Sequence, residues 1–323
     1  MHPPDRTRPL AAIDAAARAY SNWNRWGPDD VHGTVNFIDE TARMRAVALV
    51  RSGESISLAQ HFGSDGPLSG RGRRINPVHA MTAVETSATS TIEGRPLPHG
   101  FGYADDMVVM SLQCSTQWDG LGHVFDRGRA WNGRDAAQVV TSRGDQLTGI
   151  ETMAAPLVTR GVLLDVGRTF GTDTELPDGF AIMPEQLDAT EAAAGITVGR
   201  GDIVLVRTGQ LTRARRNGWR GYAGGDAPGL SFTTAGWLHG HEIAAVATDT
   251  WGVEVRPNEF DEAFQPLHQV AIPHIGLLLG EMWDLDRLAT DCAADGRYEF
   301  LLVAAPLPVV GAVGAPVNPI AVK

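Results

Sequence analysis

Residues 111 to 123 read SLQCSTQWDGLGH and crowd Gln113, Gln117, Asp119 and His123 into the end of an apolar run. Two amides, a carboxylate and an imidazole can move protons, hold a developing oxyanion or ligate a cation. Alternation along VVMSLQCS sets Val108, Met110, Leu112 and Cys114 on one strand face and Val109, Ser111, Gln113 and Ser115 on the other. If the chain stays extended, Gln117 and Asp119 fall on that polar face, and a turn at Gly120 and Gly122 swings His123 back toward them. The same residues also suit a plain strand-end turn, because Asp and Gly build turns and Ser115 or Thr116 can satisfy nearby backbone groups. Spacing alone leaves both readings open.

Such a cluster needs elements to hold it. Strand signals fall at Ser55 to Ala59, Ala80 to Thr86, Met107 to Cys114, Gly161 to Val166, Asp202 to Arg207, Ile243 to Thr248 and Tyr298 to Ala304. DETARMRAVALVRSG predicts a helix with Met44, Val47 and Val50 on one stripe and Gly53 as its cap. PEQLDATEAAAG predicts one stopped by Gly195, and SFTTAGWLHG one running from an N-cap at Ser231 to Gly240. Strands dominate the first half and alternate with helices in the second, the order of an α/β chain with a mixed sheet. Residues 1–323 read as a single domain, with 1–53 a helical segment packed on it.

The balance of 27 basic against 38 acidic side chains, net charge −11, repels a phosphate backbone and argues against nucleic acid as a partner. Cys114 and Cys292 lie far apart, outside any CxxC pair, which fits a reducing cytoplasm. PLAAIDAAARAY is interrupted by Asp14 and Arg18 and does not make a signal-peptide core. The uncharged run from Phe300 to Val322 carries Pro306, Pro308, Pro316 and Pro319, so it predicts a buried strand and a packed, turning tail, with no membrane contact.

Other chemically capable residues have simpler explanations. His239 and His241 point to different sides of a helix, and suit its C-terminal end. His274 reads as a polar surface residue. Asp249 and Glu254 sit after a strand in DTWGVEV, either in a ligand crevice or in a turn. Trp118, Phe125, Trp131 and Phe101 either line an apolar pocket for a cyclic substrate or fill core.

The stretch resembles the signature H-x-G-T-H-x-D-x-P-x-H of the metal-dependent cyclase family, which includes bacterial kynurenine formamidases and isatin hydrolases. Gln113 falls on its first His, Ser115 on its Gly, Thr116 on its Thr, Gln117 on its second His, Asp119 on its Asp, Leu121 on its Pro and His123 on its last His. SNWNRWGPDDVHGTVNFI, GVLLDV, GDIVLVRTG, IAAVATDT and LHQVAIPHIGLLLGEMWDLDRLA resemble further landmarks of the family in the same order. The resemblance implies a swivelling β/β/α fold, a homodimer or homotetramer, and a divalent metal such as zinc or manganese. It also implies a later His and Glu at the site, here His268 and Glu281. Two glutamines replace signature imidazoles, and a neutral amide is a poor zinc ligand. The ion is then held by Asp119, His123, His268 and Glu281, or is absent.

The resemblance supplies the expected activity: a hydrolase opening a small cyclic or aryl amide, imide or lactone. His123 would relay a proton while Gln113 and Gln117 donate to the oxyanion. The alternatives are a metal-free lyase or cyclase using His123, Asp119 and Glu281, and a non-catalytic small-molecule-binding protein.

Overall fold

A computed structural model describes residues 6–68, 73–85, 91–92 and 95–323. Strands β1 (Ser55–Ser57), β2 (Val78–Glu85), β3 (Tyr103–Val109) and β4 (Gln117–Asp119) come first in the chain. Strands β5 (Val158–Asp165), β6 (Ile203–Arg207), β7 (Ala245–Thr248) and β8 (Leu278–Glu281) follow at wider intervals, then β9 (Glu299–Val303), β10 (Gly314–Pro316) and β11 (Ile320–Val322), besides short two-residue strands in the connections. All of these except β2 and β3 form one nine-stranded sheet in the order β1-β11-β9-β5-β6-β7-β8-β4-β10. The four central strands β5 to β8 are mutually parallel, and those flanking them on either side pair antiparallel. Both α/β character and a mixed sheet are thus as the sequence predicts.

The central strands are apolar on both faces because both faces are covered. Leu163, Leu205, Ala247 and Leu278 pack on one side with Trp118, Trp131 and Trp283. Val162, Leu164, Val204, Val246 and Leu279 face the other way, under helix α1 (Pro9–Tyr20) and three later helices. Those are α3 (Pro184–Ala194), α4 (Ala235–Gly240) and α5 (Pro266–Val270), which contribute Leu187, Leu238 and Leu267, while α1 contributes Ile13. Gly195 ends α3 in the left-handed conformation at φ 65°, which a residue without Cβ adopts at little cost.

Two expectations are corrected, and one element is new. The helix α2 (Glu40–Val47) stops well before Gly53; it buries Ala42 and Ala46, while Met44 and Val47 point to solvent. The segment LLGE, for which no element is expected, is strand β8. The strand expected over Met107 to Cys114 is shifted: β3 ends at Val109, and Leu112 and Gln113 already lie in a turn. Its Met107, Val108 and Val109 are exposed and pair only with β2, in an antiparallel ribbon beside the main sheet. Alternation shows which side chains share a face, but not whether anything covers it. Thr86, the expected end of the Ala80 strand, lies outside the described residues. No helix among the described residues is long and apolar enough to cross a membrane.

Candidate active site

The site is assembled on two antiparallel neighbours, β4 and β8, in which Gln117 lies opposite Glu281, Trp118 opposite Gly280 and Asp119 opposite Leu279. Period-two alternation sends Trp118 into the Trp283 side of the core and leaves Gln117, Asp119 and Glu281 on the other face. Trp118 is therefore a core residue rather than a pocket wall, its indole N–H donating to the Ala304 carbonyl at 2.8 Å. The Gln117 amide N–H group donates to Glu281 Oε2 at 2.8 Å and to Asp119 Oδ1 at 3.2 Å. Both of its donors are thus engaged by carboxylates, which corrects the expectation of a free oxyanion donor.

His268 joins this face from α5. Glu254 fixes it: Oε1 accepts from the His268 backbone N–H at 3.0 Å and lies 2.5 Å from Nδ1, while Oε2 accepts from the Leu267 backbone N–H at 3.1 Å. One carboxylate so caps the first turn of the helix and orients the ring. The opposite ring nitrogen, Nε2, is buried without a hydrogen-bond partner and sits 3.5 Å from Glu281 Oε1. Burial pulls the imidazole down, but the hydrogen bond to Glu254 and the charges of Glu254 and Glu281 override it and raise its pKa to about 10. Burial and the charge of Asp119 push Glu281 the other way for a carboxylate, up to about 7, against the pull of His268 and Arg74.

His123 stands at the edge of the cluster, its Nε2 3.6 Å from Asp119 Oδ1. Burial lowers its pKa below 6.5, more than the Asp119 charge restores, with Arg74 and His268 adding to the fall. Arg74, which no sequence signal singles out, reaches the site from the irregular segment just before β2. Its Nη2 is 3.4 Å from His123 Nε2 and its Nη1 3.4 Å from the Gln113 carbonyl oxygen. Gln113 itself is in the turn before β4, its side-chain nitrogen lying against Gly314 rather than alongside Gln117.

The remaining expectations divide. Trp131 is fully buried, donates to Asp30 Oδ2 at 3.0 Å and belongs to the core, whereas Phe125 and Phe101 are exposed. His274 is buried rather than superficial: its Nε2 lies 2.8 Å from Asp126 Oδ2 and its ring stacks on Trp23. His241 lies 2.9 Å from the Trp237 carbonyl at the end of α4, in keeping with a helix-end role. Asp249 accepts from the Thr208 and Gly209 backbone N–H groups and ties two strand ends together. Of the pair in DTWGVEV, only Glu254 reaches the cluster.

Asp119, His268 and Glu281 each offer a ligand atom, all lying within 4.8 Å of one another. Those residues fit a divalent ion on three counts. Nε2 of His268 is a buried ring nitrogen without a hydrogen-bond partner, Gln117 Oε1 and His123 Nδ1 are likewise buried and unpartnered, and the charge of Asp119 makes ionisation of Glu281 costlier. One nitrogen and two carboxylate oxygens make a three-residue set that leaves a position open.

The family model described as "Putative cyclase" matches residues 56–255. A crystal structure described as that of a novel cyclase superposes with a TM-score of 0.83 at 34% identity, covering 95% of this chain and 99% of that one. Isatin hydrolase A from Labrenzia aggregata, bound to benzyl benzoate, has 18% identity and a TM-score of 0.58, with 85% of this chain and 94% of that one covered. Isatin hydrolase A from Ralstonia solanacearum gives 17% and 0.59, with 87% and 95% covered. A predicted metal-dependent hydrolase from Bacillus stearothermophilus has 15% identity and a TM-score of 0.50, covering 83% and 97%. No curated protein matches the chain significantly.

Proposed function

Because the chain belongs to the cyclase family, we propose that it is a hydrolase of a small cyclic or aryl amide, imide or lactone. The observation that carries this reading is the buried Asp119, His268 and Glu281 triad with Glu254 behind the imidazole, the arrangement in which a carboxylate orients a metal-binding histidine. The hydrolase names of the isatin hydrolases and the Bacillus stearothermophilus protein support the reaction class. In this reading the three residues hold zinc or manganese, which supplies Lewis acidity toward a carbonyl and toward water.

The chain's own residues do the rest. His123, neutral at pH 7 because burial lowers its pKa, accepts a proton from the attacking water at Nε2 and returns it to the leaving nitrogen or oxygen. Asp119, 3.6 Å away, favours the imidazolium formed between these steps. Gln117 holds Asp119 and Glu281 in register through its two N–H bonds, a positioning role in place of direct ligation. A homodimer or homotetramer belongs to the same reading, supported by the exposed apolar side chains of the ribbon.

A second reading, proton transfer without a metal, is favoured by one observation: the two ring nitrogens of His268 lie 2.5 Å from Glu254 and 3.5 Å from Glu281, so an imidazolium there would balance both carboxylates. Elemental analysis of the purified protein, with turnover of a lactone and amide panel before chelation, after it and after zinc or manganese is restored, separates the two. Bound metal with activity lost and regained is the expected result. Full activity in metal-free protein would overturn the metal-dependent mechanism.

A further inference from the structure

We infer that Arg74 is the anchor for a carboxylate on the substrate, so that the preferred substrate is an anionic ring amide, imide or lactone with its carboxylate on a carbon close to the scissile carbonyl. The inference deepens the hydrolase reading and rests on it for the word substrate, but not for the binding of an anion. Arg74 is partly buried, and among the described residues no carboxylate forms an ion pair with it. Among the described residues its two terminal nitrogens hydrogen-bond only to the acceptors His123 Nε2 and the Gln113 carbonyl, each at 3.4 Å, the outer limit of a hydrogen bond. A guanidinium fork so weakly engaged suits the two oxygens of a carboxylate.

The residue is held in place on several sides. The Ile75 backbone N–H donates to Ser111 Oγ at 2.9 Å, and Asn76 binds both the N–H and the carbonyl of Leu68 at 3.0 and 2.8 Å. Above, the guanidinium carbon lies 5.9 Å from the centre of the Trp251 ring, which Arg256 approaches at 5.6 Å. The chain that carries the fork is therefore anchored next to Arg74, and the guanidinium rests near an aromatic face, which lowers the cost of ordering it when an anion arrives.

Electrostatics also calls for it. A carboxylate entering a site with Asp119, Glu254 and Glu281 meets three acidic groups in a chain of net charge −11. Arg74 is the cation that makes such an approach favourable. A carboxylate on its fork lies beside His123, whose Nε2 is 3.6 Å from Asp119, so the bond to be cleaved must be only a short way along the molecule.

The test compares 5-oxotetrahydrofuran-2-carboxylate with its carboxamide as substrates, and benzoate with benzamide by calorimetry, in wild type, Arg74→Gln and Arg74→Lys. Wild type should favour each carboxylate by about tenfold or more, the scale of a charge-assisted pair. Arg74→Gln should remove that preference by raising KM for the lactone carboxylate more than for the carboxamide, while any change in kcat from the lost contact with His123 falls on both substrates alike. Arg74→Lys, which keeps the charge but not the fork, should retain part of it and serves if the glutamine variant misfolds. Equal benzoate affinity in wild type and both variants overturns the assignment. Benzoate selectivity that depends on Arg74, with neither lactone cleaved, supports the anchor while counting against the hydrolase reading.

Discussion

At the scale of single residues, Glu254 shows most clearly how a site depends on groups that touch no substrate. It accepts from two backbone N–H groups and holds the His268 ring by Nδ1, leaving Nε2 to face Asp119 and Glu281. Glu254→Gln keeps an oxygen for the helix but weakens the hold on the ring. Zinc affinity, measured by competition with a chromophoric chelator, should fall about tenfold to a hundredfold, the usual penalty for losing such an outer partner. Unchanged affinity would show that the ring is positioned by packing instead. Residue identity in the sequence carried part of this site: Asp119 and His123 were visible as types and spacing, while His268 and Glu281 entered only through resemblance. Arg74 gives no signal, since one arginine among those of RGRRINP looks like any solvated cation. Trp118 was legible in principle, because it alternates with Gln117 and Asp119 and so must point away from them.

At the scale of elements, the pairing of β4 with β8 is tight at one point. A Cβ on Gly280 would lie 2.4 Å from the Ala247 Cβ, 2.8 Å from the Trp283 indole nitrogen and 2.9 Å from a Trp118 ring carbon. Gly280→Ala must push the strand or the indoles aside and carry Glu281 with them. Urea denaturation should show a loss of about 1–3 kcal/mol, the typical cost of overpacking a dense core. An unaltered midpoint would mean that the strands yield freely. The central strands were legible because burial on both faces leaves continuous apolar runs in GVLLDV, DIVLVR and IAAVAT. β8 was not, as a short apolar run after a helix has no distinguishing period, and β4 is only three residues long.

At the scale of the whole molecule, buried carboxylates away from the site set part of the pH response. Asp202 accepts from the Gly199 backbone at 2.8 Å and faces Arg160, Arg45 and Glu299. Burial raises it from 3.8 to about 6 against the pull of Arg160 and Arg45, with Glu299 adding to the rise. The folded state thus takes up this proton more readily than the unfolded chain. Its contribution to stability is complete below about pH 4 and is lost as pH climbs through about 6. Asp202→Asn abolishes the titration, so wild type should lose stability relative to the variant between pH 4 and pH 7, by at most about 3 kcal/mol. Thermal melts of both proteins across that range provide the check, and a constant gap would exclude the effect.

The candidate centre draws Gln117 and Asp119 from one strand of the nine-stranded sheet, Glu281 from its neighbour, and His268 from a helix seated in the core. None of these four residues hangs on a peripheral flap that could fray by itself. Heat should therefore dismantle the cation-holding cluster and melt the protein at the same temperature, even if the loops that carry His123 and Arg74 loosen earlier.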